Sequence, residues 1–330
     1  MTRQLSDNFM KQLMPNGELN PMVCALQRLP QLRFFPRGKY ATVYYKAARL
    51  FEIYPNSKYP FRVTKKYKDY AKLTEMDGFN SALTGFNPNN DDEFNLGLGQ
   101  CDEQFWYNFF IRMMCGVNEH RLVATEREKE IQQLIFAENN DNKRPTDYLM
   151  LDIEYAVPGD RSYGQFDIVA LKWPANKRND DKYQPELAII EVKHGDKALM
   201  GNSGMQDHLN KISRFQPSPE FYADLETVLN QLRQLGFVKL ARKPNVPVKI
   251  NTDEGKKQFI FALGNCSNRS SNLRRAVNSL NEISNYQLRF VTASLMGYGL
   301  YEDGMLTLGK FKKMLDAVNS DSDDMSENMP

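Results

Sequence analysis

The chain has few of the residues on which disulfide-bonded, zinc-binding or membrane proteins depend. Its 330 residues include four cysteines and three histidines, and Cys24, Cys101, Cys115 and Cys266 form no C-x-x-C pair. We therefore expect reduced thiols, with neither a disulfide framework nor a zinc site. No apolar run reaches the roughly 18 residues of a membrane span, and residues 1–20 lack the apolar centre of a signal peptide. These absences favour a cytoplasmic protein without a membrane partner.

Two motifs of common enzyme classes are also missing. The chain has no phosphate-cradling G-x-x-x-x-G-K-[ST] and no G-x-S-x-G, which argues against a P-loop ATPase and a nucleophile-elbow hydrolase. What is present is ordinary for a globular protein, with 41% hydrophobic and 25% charged residues. The length predicts either a second domain or a large elaboration of one domain.

Charged residues stand near the ends of two strand-like apolar runs in the middle of the chain. The run Phe166–Trp173 carries Asp167 near its start. The run Glu186–Val192 carries Glu191 near its end, and Lys193 follows it. Acids and a lysine at the ends of hydrophobic strands are costly to bury unless they are paired or bound to metal. This cost is the reason to look for a function here.

Strand geometry brings these residues together. If the two runs pair antiparallel, Asp167 lies beside Glu191, and the alternation of side chains puts Glu191 and Lys193 on the same face. Two carboxylates are suitable ligands for Mg²⁺ or Mn²⁺, which keeps several waters and completes its shell with substrate phosphate. A lysine, which we expect to be exposed at the strand end, can orient a water or stabilise charge on the phosphate. The inert alternative is an acid–lysine pair at a sheet end.

This arrangement resembles the PD-(D/E)XK nuclease superfamily, which has the restriction-endonuclease-like fold. The acid of the second core strand is Asp167, and the E-x-K of the third strand is Glu191-Val192-Lys193. The resemblance implies an α/β core with a mixed central sheet flanked by helices, here with an N-terminal α+β elaboration. It also implies a nuclease that cuts DNA in preference to RNA, in prokaryotic defence or DNA processing. Asp167 and Glu191 would hold Mg²⁺ (or Mn²⁺), and Lys193 would position the attacking water. Phe166 stands where the family often has proline.

The family often adds a glutamate from the helix before the first strand. Apolar residues at helical spacing predict a helix over Arg121–Ala137. Glu128 flanks its apolar stripe and is ranked before Glu130 and Glu126, which remain alternatives.

A glutamine on the helix after the third strand is a second recurrent feature of the family. We expect that helix over Met205–Phe215, where Gln206 is the candidate and His208 is also present. A further core strand is expected at Gln258–Gly264. The catalytic candidates are therefore Glu128, Asp167, Glu191, Lys193 and Gln206.

The N-terminal region is basic and aromatic. Residues 1–72 carry fourteen lysines and arginines against four acids, and aromatic residues alternate with the basic ones. This composition is typical of phosphate contact combined with base stacking, with Lys65, Lys66 and Lys68 as candidate nucleic-acid contacts. The alternative is an antiparallel sheet with one aromatic core face and one solvated basic face.

Three parts of the chain follow from these patterns. Residues 1–115 are predicted to form the basic, β-rich region with an acidic, Asn-rich loop. Residues 116–315 would form the nuclease-like domain, and residues 316–330 a disordered acidic tail. The sequence leaves open whether the protein forms a homodimer or has a partner protein.

The sequence also allows two interpretations other than a nuclease. One is a catalytically inactive nuclease-fold protein that binds nucleic acid or serves as a scaffold subunit. The other is an unrelated α/β protein with a chance motif, which fails if the Asp167 and Glu191 strands are adjacent. Carboxylates around an open cavity would favour the enzyme, whereas a Lys193 that is sealed in a salt bridge would favour the scaffold.

Overall fold

The structure is a computed structural model in which the chain divides into two compact units. It describes residues 2–46, 48–55, 57, 60–86, 93–97, 101–121, 127–140, 146–157, 162–163, 165–240, 242–243, 246–292 and 297–326. Unit 1 comprises residues 1–133 and 223–240, and unit 2 comprises residues 134–222 and 241–330. Among the described residues, no helix combines the length and apolar character needed to cross a membrane.

Unit 1 contains an antiparallel sheet and several helices. Its elements up to residue 121 are α1 (Asp7–Leu13), α2 (Asn20–Gln27), β1 (Leu32–Pro36), β2 (Ala41–Tyr45), β3 (Ala48–Ile53), β4 (Phe61–Thr64), α3 (Phe79–Ala82), β5 (Leu83–Phe86), β6 (Glu93–Leu96) and α4 (Glu103–Arg121). The described strands lie in the order β1-β2-β3-β4-β6-β5. This confirms the antiparallel sheet that the basic, aromatic N-terminal sequence predicts.

One face of this sheet packs on α4 through aromatic rings. Phe51 of β3 stacks on Phe110 with ring centroids 5.5 Å apart, and Phe61 of β4 lies 4.4 Å from Trp106. The opposite face is not simply a solvated basic surface, because Glu52 and Glu93 are buried there.

The last part of unit 1 comes from residues 223–240. Asp224 accepts hydrogen bonds from the backbone N–H groups of Arg3 and Gln4 at 2.8–3.0 Å. The side chain of Gln231 accepts from Leu5 N and donates to Leu5 O. Four backbone polar groups near the start of the chain are therefore hydrogen-bonded by residues more than 200 positions later.

Unit 2 is built on a mixed sheet. The elements from residue 127 onward are α5 (Arg127–Asn139), β7 (Tyr148–Ala156), β8 (Gln165–Lys172), β9 (Glu186–His194), α6 (Met205–Arg214), α7 (Pro219–Gln234), β10 (Gln258–Gly264), α8 (Ser271–Ser279), β11 (Gln287–Thr292) and α9 (Leu308–Ser326). Two of the three unit boundaries fall within α5 and α7, and the third follows residue 240. The described strands lie in the order β11-β10-β9-β8-β7, with β7, β8 and β9 antiparallel and β9, β10 and β11 parallel.

The predicted strands of unit 2 agree closely with those observed, because they are apolar throughout. Leu187, Ile190 and Val192 of β9 are fully buried, as are Ile168 and Val169 of β8. The α/β class and the mixed sheet are confirmed. Strand β9 continues past Val192 to His194, so Glu191 and Lys193 lie inside a paired strand.

Two predicted boundaries differ from the structure. The division expected at residue 115 falls inside α4, which continues to Arg121. Residues 316–326, expected to be disordered, continue helix α9. Phe311 and Leu315 are each 1% exposed and anchor this helix in the core, so the polar residues after them extend a helix that packing has already nucleated. Residues 327–330 lie outside the described residues.

We call the end of the sheet where β7, β9 and β10 begin the tyrosine end. It holds a polar network formed by Tyr148, Lys172, Gln258, Arg289 and Glu302. The Tyr148 hydroxyl lies 2.6 Å from both Glu302 Oε2 and Gln258 Oε1. Gln258 Nε2 donates to Glu302 Oε1 at 3.1 Å, and Lys172 Nζ lies 3.1 Å from the same oxygen. Side chains from several strands therefore converge on one carboxylate.

Candidate metal and catalytic site

The opposite end of the unit 2 sheet, which we call the carboxylate end, holds Asp167, Glu191, Lys193 and, from α6, His208. Strands β8 and β9 are antiparallel with Ile168 opposite Ile190, so the register carries Asp167 opposite Glu191. Asp167 Oδ2 accepts a hydrogen bond of 2.7 Å from Val192 N. The predicted adjacency of the two acid-bearing strands is confirmed.

Glu191 and Lys193 lie on the same face of β9, as strand alternation predicts. Lys193 Nζ is 2.7 Å from Glu191 Oε1, and the side chains are only 5% and 4% exposed, respectively. An ion pair that is this well buried is not a surface contact. Its two charges compensate each other's loss of hydration, and removal of either one would leave a buried charge with fewer partners.

The burial of Lys193 corrects the expectation of an exposed lysine at the strand end. Strand β9 pairs with β10 through His194, which lies opposite Gly264, and Leu263 lies beside Lys193. The sequence did not show that a neighbouring strand covers this position. Lys193 is therefore sealed in a salt bridge, the feature that favours the scaffold alternative.

His208 is a member of the site that the sequence interpretation left without a role. Its Nδ1 lies 3.0 Å from Glu191 Oε1, the same oxygen that contacts Lys193. Met205 and Ile212 are buried residues of α6, and His208 follows the first by three positions and precedes the second by four. This helical spacing placed His208 beside the buried face and was the available signal.

Gln206 was the predicted residue of α6, but its hydrogen bonds lie elsewhere. Its Nε2 donates to Asn210 Oδ1 at 2.8 Å. Its Oε1 is buried and accepts no hydrogen bond within the described part of the chain. Positions 206 and 208 lie 200° apart around a helix, so the residue that reaches Glu191 is His208 rather than Gln206.

The glutamate candidates in α5 belong to unit 1 rather than to unit 2. Glu128 and Glu130 lie in the first turn of α5, within the part of that helix that belongs to unit 1. Glu126 lies outside the described residues.

The donor set is small for a metal centre. No group of three or more His, Cys, Asp or Glu side chains among the described residues is arranged to hold a metal ion. Glu191 Oε1 contacts two nitrogens, whereas its Oε2 accepts no hydrogen bond from a described residue. Two carboxylates suit an ion such as Mg²⁺, which keeps several of its waters. They do not suit a structural zinc ion with four protein ligands.

The three lysines proposed as nucleic-acid contacts lie in unit 1, in the turn after β4. Lys65 and Lys66 belong to a single 3₁₀ turn, and Thr64 caps it by accepting from Lys66 N at 3.3 Å. Lys66 is exposed, and its Nζ lies 5.6 Å from the centre of the Tyr67 ring. Lys65 and Lys68 are half-buried, which makes Lys66 the most accessible of the three.

The carboxylate end has two acids on adjacent strands, one buried lysine and one histidine, all positioned by regular secondary structure. Comparison of the chain with protein-family models, with curated proteins and with solved structures gave no match.

Proposed function

We propose that the protein is a metal-dependent phosphodiesterase of the PD-(D/E)XK nuclease kind, acting on DNA in preference to RNA. One observation carries the proposal. Asp167 and Glu191 lie on adjacent antiparallel strands, each next to the paired residues Ile168 and Ile190, and Lys193 lies on the same face as Glu191, 2.7 Å from its carboxylate. A cytoplasmic location, expected from the sequence, is part of the proposal.

The order of elements in unit 2 supports this assignment. Helix α5 is followed by the antiparallel strands β7, β8 and β9, then by α6 and by β10, which is parallel to β9. The resemblance implies this sequence of helix, three strands, helix and further strand. It also implies an acid on the second strand and E-x-K on the third, which are the positions of Asp167 and Glu191-Val192-Lys193.

The residues of the carboxylate end have distinct roles in this proposal. Asp167 and Glu191 would hold Mg²⁺ or Mn²⁺, which would polarise the phosphate and lower the pKa of a bound water. The N–H of Val192 fixes the orientation of the Asp167 carboxylate. Lys193 keeps a positive charge where negative charge develops on the phosphate. His208 acts as a positioning residue, because it contacts the carboxylate oxygen that Lys193 also contacts.

The burial of Lys193 favours a second candidate, a catalytically inactive nuclease-fold protein that binds nucleic acid within a larger assembly. Lys193 and His208 both contact Glu191 Oε1, so one oxygen of this acid is already occupied and the ammonium of Lys193 offsets its charge. In an enzyme, the bound ion must compete with these nitrogens or use Oε2. In a scaffold, the ion pair would simply persist.

Metal binding separates the two candidates. Calorimetry with Mn²⁺ should show binding to the parent protein, and Asp167→Asn and Glu191→Gln should each abolish it while conserving side-chain volume. Glu186→Gln is the matched control, since Glu186 lies on the same strand at the tyrosine end and its loss should leave metal affinity unchanged. Cleavage of plasmid, linear and single-stranded DNA and of RNA with added Mn²⁺ would then identify the substrate.

Undiminished Mn²⁺ binding in both acid variants would contradict the site. Nucleic-acid binding by a parent protein that binds no metal would establish the scaffold function.

A further inference from the structure

The segment from the end of β10 to the end of α8 is basic and contains no acid. Residues 264–279 include Arg269, Arg274 and Arg275 and neither aspartate nor glutamate. All three arginines are exposed. The whole chain has nearly balanced charge, with 43 lysines and arginines against 41 acids, so this stretch departs clearly from the average.

This basic segment begins at the carboxylate end of the sheet. In the β9–β10 register, Leu263 lies opposite Lys193 and Gly264 opposite His194. Gly195 N then donates to Gly264 O at 2.9 Å. Ser270, which caps α8, also donates its hydroxyl to Asp196 Oδ2 at 2.5 Å. The loops after β9 and β10 are thus tied together, and Arg269 lies in the second of them.

The partners of the arginines differ. Arg274 Nε lies 3.5 Å from Asp316 Oδ1 of α9. The guanidinium groups of Arg269 and Arg275 have no hydrogen bond or ion pair with any described residue. Lys197, exposed in the loop after β9, is likewise without a side-chain partner in the described parts of the chain. Two cations without a partner among the described residues, Lys197 and Arg269, therefore lie in the tied loops, and a third, Arg275, lies in the helix that follows the second loop.

Helix α8 directs one of these cations outward. Leu273, Ala276 and Val277 form its buried face, so Arg275 lies near the middle of the opposite face at 100° per residue. A guanidinium presents several N–H donors in a plane and can bind two oxygens of a phosphate at once.

We propose that Arg269 and Arg275, together with Lys197, form a phosphate-binding rim that holds the sugar–phosphate backbone of a nucleic acid beside the carboxylate end. This inference rests on the proposed function and names the residues that would seat its substrate. Contacts of this type position the backbone and carry no sequence information by themselves. Lys211 is excluded from the rim because its ammonium lies 2.7 Å from Asp207.

The test measures binding without cleavage. Fluorescence anisotropy in EDTA, at several salt concentrations, would give the affinity of the parent protein for duplex DNA, single-stranded DNA and RNA. Arg269→Gln with Arg275→Gln should weaken binding and reduce the slope of log affinity against log salt. The expected reduction is about 0.9 per lost contact on duplex DNA and about 0.7 on a single strand. Both residues are exposed, so the melting temperature should not change.

A matched control is available in the same unit. Lys177 and Lys182 are exposed in the loop that joins β8 to β9, at the tyrosine end. Lys177→Gln with Lys182→Gln removes the same charge and should leave the salt slope unchanged. An equal reduction in both double variants would indicate a general charge effect and overturn the rim.

The remaining outcomes separate this inference from the proposed function. A parental salt slope in the arginine variant, with intact metal-dependent cleavage, would overturn the rim alone. Arginine-dependent binding by a protein that fails to bind Mn²⁺ would support the rim and remove the nuclease. Absence of binding to all three nucleic acids would overturn the rim.

Discussion

The two ends of the unit 2 sheet each hold a carboxylate in contact with a lysine, but they use its oxygens differently. At the tyrosine end, both oxygens of Glu302 contact donors, which come from Tyr148, Lys172 and Gln258. At the carboxylate end, two nitrogens share one oxygen of Glu191. A carboxylate paired with a lysine therefore does not by itself mark a functional site. The distinguishing feature is a carboxylate oxygen without a hydrogen bond from the described residues, next to a second acid.

This difference assigns separate roles to the two ends. The contacts of Glu302 join β7, β8 and β10, as expected of a network that stabilises the sheet. The contacts of Glu191 come from Lys193 of its own strand and His208 of α6. They do not join neighbouring strands, so Glu191 can exchange them for a ligand without separating the sheet. Substitutions at the tyrosine end should change stability without changing cleavage, whereas those at the carboxylate end should change cleavage as well.

The largest expected effect is that of Lys193→Met. Loss of the ammonium should lower cleavage about a hundredfold or more, comparable with loss of one transition-state donor. Because Lys193 is buried against Glu191, the free energy of unfolding should also fall, by up to about 3 kcal/mol. Single-turnover cleavage should be measured at a temperature where circular dichroism shows the variant to be folded.

Lys172→Met provides the matched comparison, since Lys172 also pairs with a carboxylate, Glu302, at the tyrosine end. It should cost stability and leave cleavage within about twofold, because it lies far from the reacting phosphate. Full activity in Lys193→Met would remove the catalytic role of this lysine. Equal loss of activity in the two variants would remove the division of roles between the two ends.

A smaller effect is expected for Glu302→Gln. Burial by itself raises the pKa of the Glu302 carboxyl, but hydrogen bonding to Tyr148 and the charge of Lys172 outweigh it and hold the pKa below 4.5. Loss of the negative charge should lower the free energy of unfolding by about 1.5 kcal/mol at pH 7. A loss of about 1.5 kcal/mol lies at the lower end of the range for a hydrogen bond to a charged group. The lower end applies because Glu302 is 30% exposed and solvent weakens its contacts.

The pH dependence checks the cause. A carboxyl whose pKa is lowered on folding contributes stability that is complete above its unfolded pKa and is lost as the pH falls through its folded pKa. The parent protein should therefore lose its advantage over Glu302→Gln as the pH drops below about 4.5. Urea unfolding between pH 3 and 7 measures this, and a constant difference between the proteins would contradict the assignment.

The smallest effect concerns unit 1. Replacing Lys65, Lys66 and Lys68 with glutamate should weaken nucleic-acid binding and lower the salt slope by about 0.7 to 0.9 per lost phosphate contact. Only Lys66 is fully exposed, so we expect a reduction nearer to one contact than to three. Mn²⁺ affinity at Asp167 and Glu191 should stay constant. An unchanged salt slope would leave this turn with a structural or partner-docking role.

Much of unit 2 followed from local sequence. The strand Gln258–Gly264 was predicted with the bounds observed, because turn-like residues flank a continuous apolar run. The facing positions of Asp167 and Glu191 needed only antiparallel pairing and strand alternation. Features that depend on one apolar segment and the next strand along the chain could therefore be predicted from the sequence.

Features that depend on segments distant in the sequence could not be predicted in this way. Burial of Lys193 depends on strand β10, which begins more than 60 residues later. The contact of His208 with Glu191 depends on how α6 packs on β9. The presence of residues 223–240 in unit 1 depends on hydrogen bonds such as those of Asp224 with Arg3. Periodicity describes the face of one element and does not identify what covers it.

The hydrogen bonds of Asp224 and Gln231 to the first residues of the chain also concern the order of synthesis. Unit 1 needs residues 223–240, which leave the ribosome only after residues 134–222 have been made. At about 5–20 residues per second, this delay is on the order of ten seconds. During that interval the backbone amides of Arg3 to Leu5 lack the side chains of Asp224 and Gln231 that accept from them. Strands β7 to β9, which pair with their immediate neighbours in the chain, can already form. The first-made unit is thus among the last to be completed.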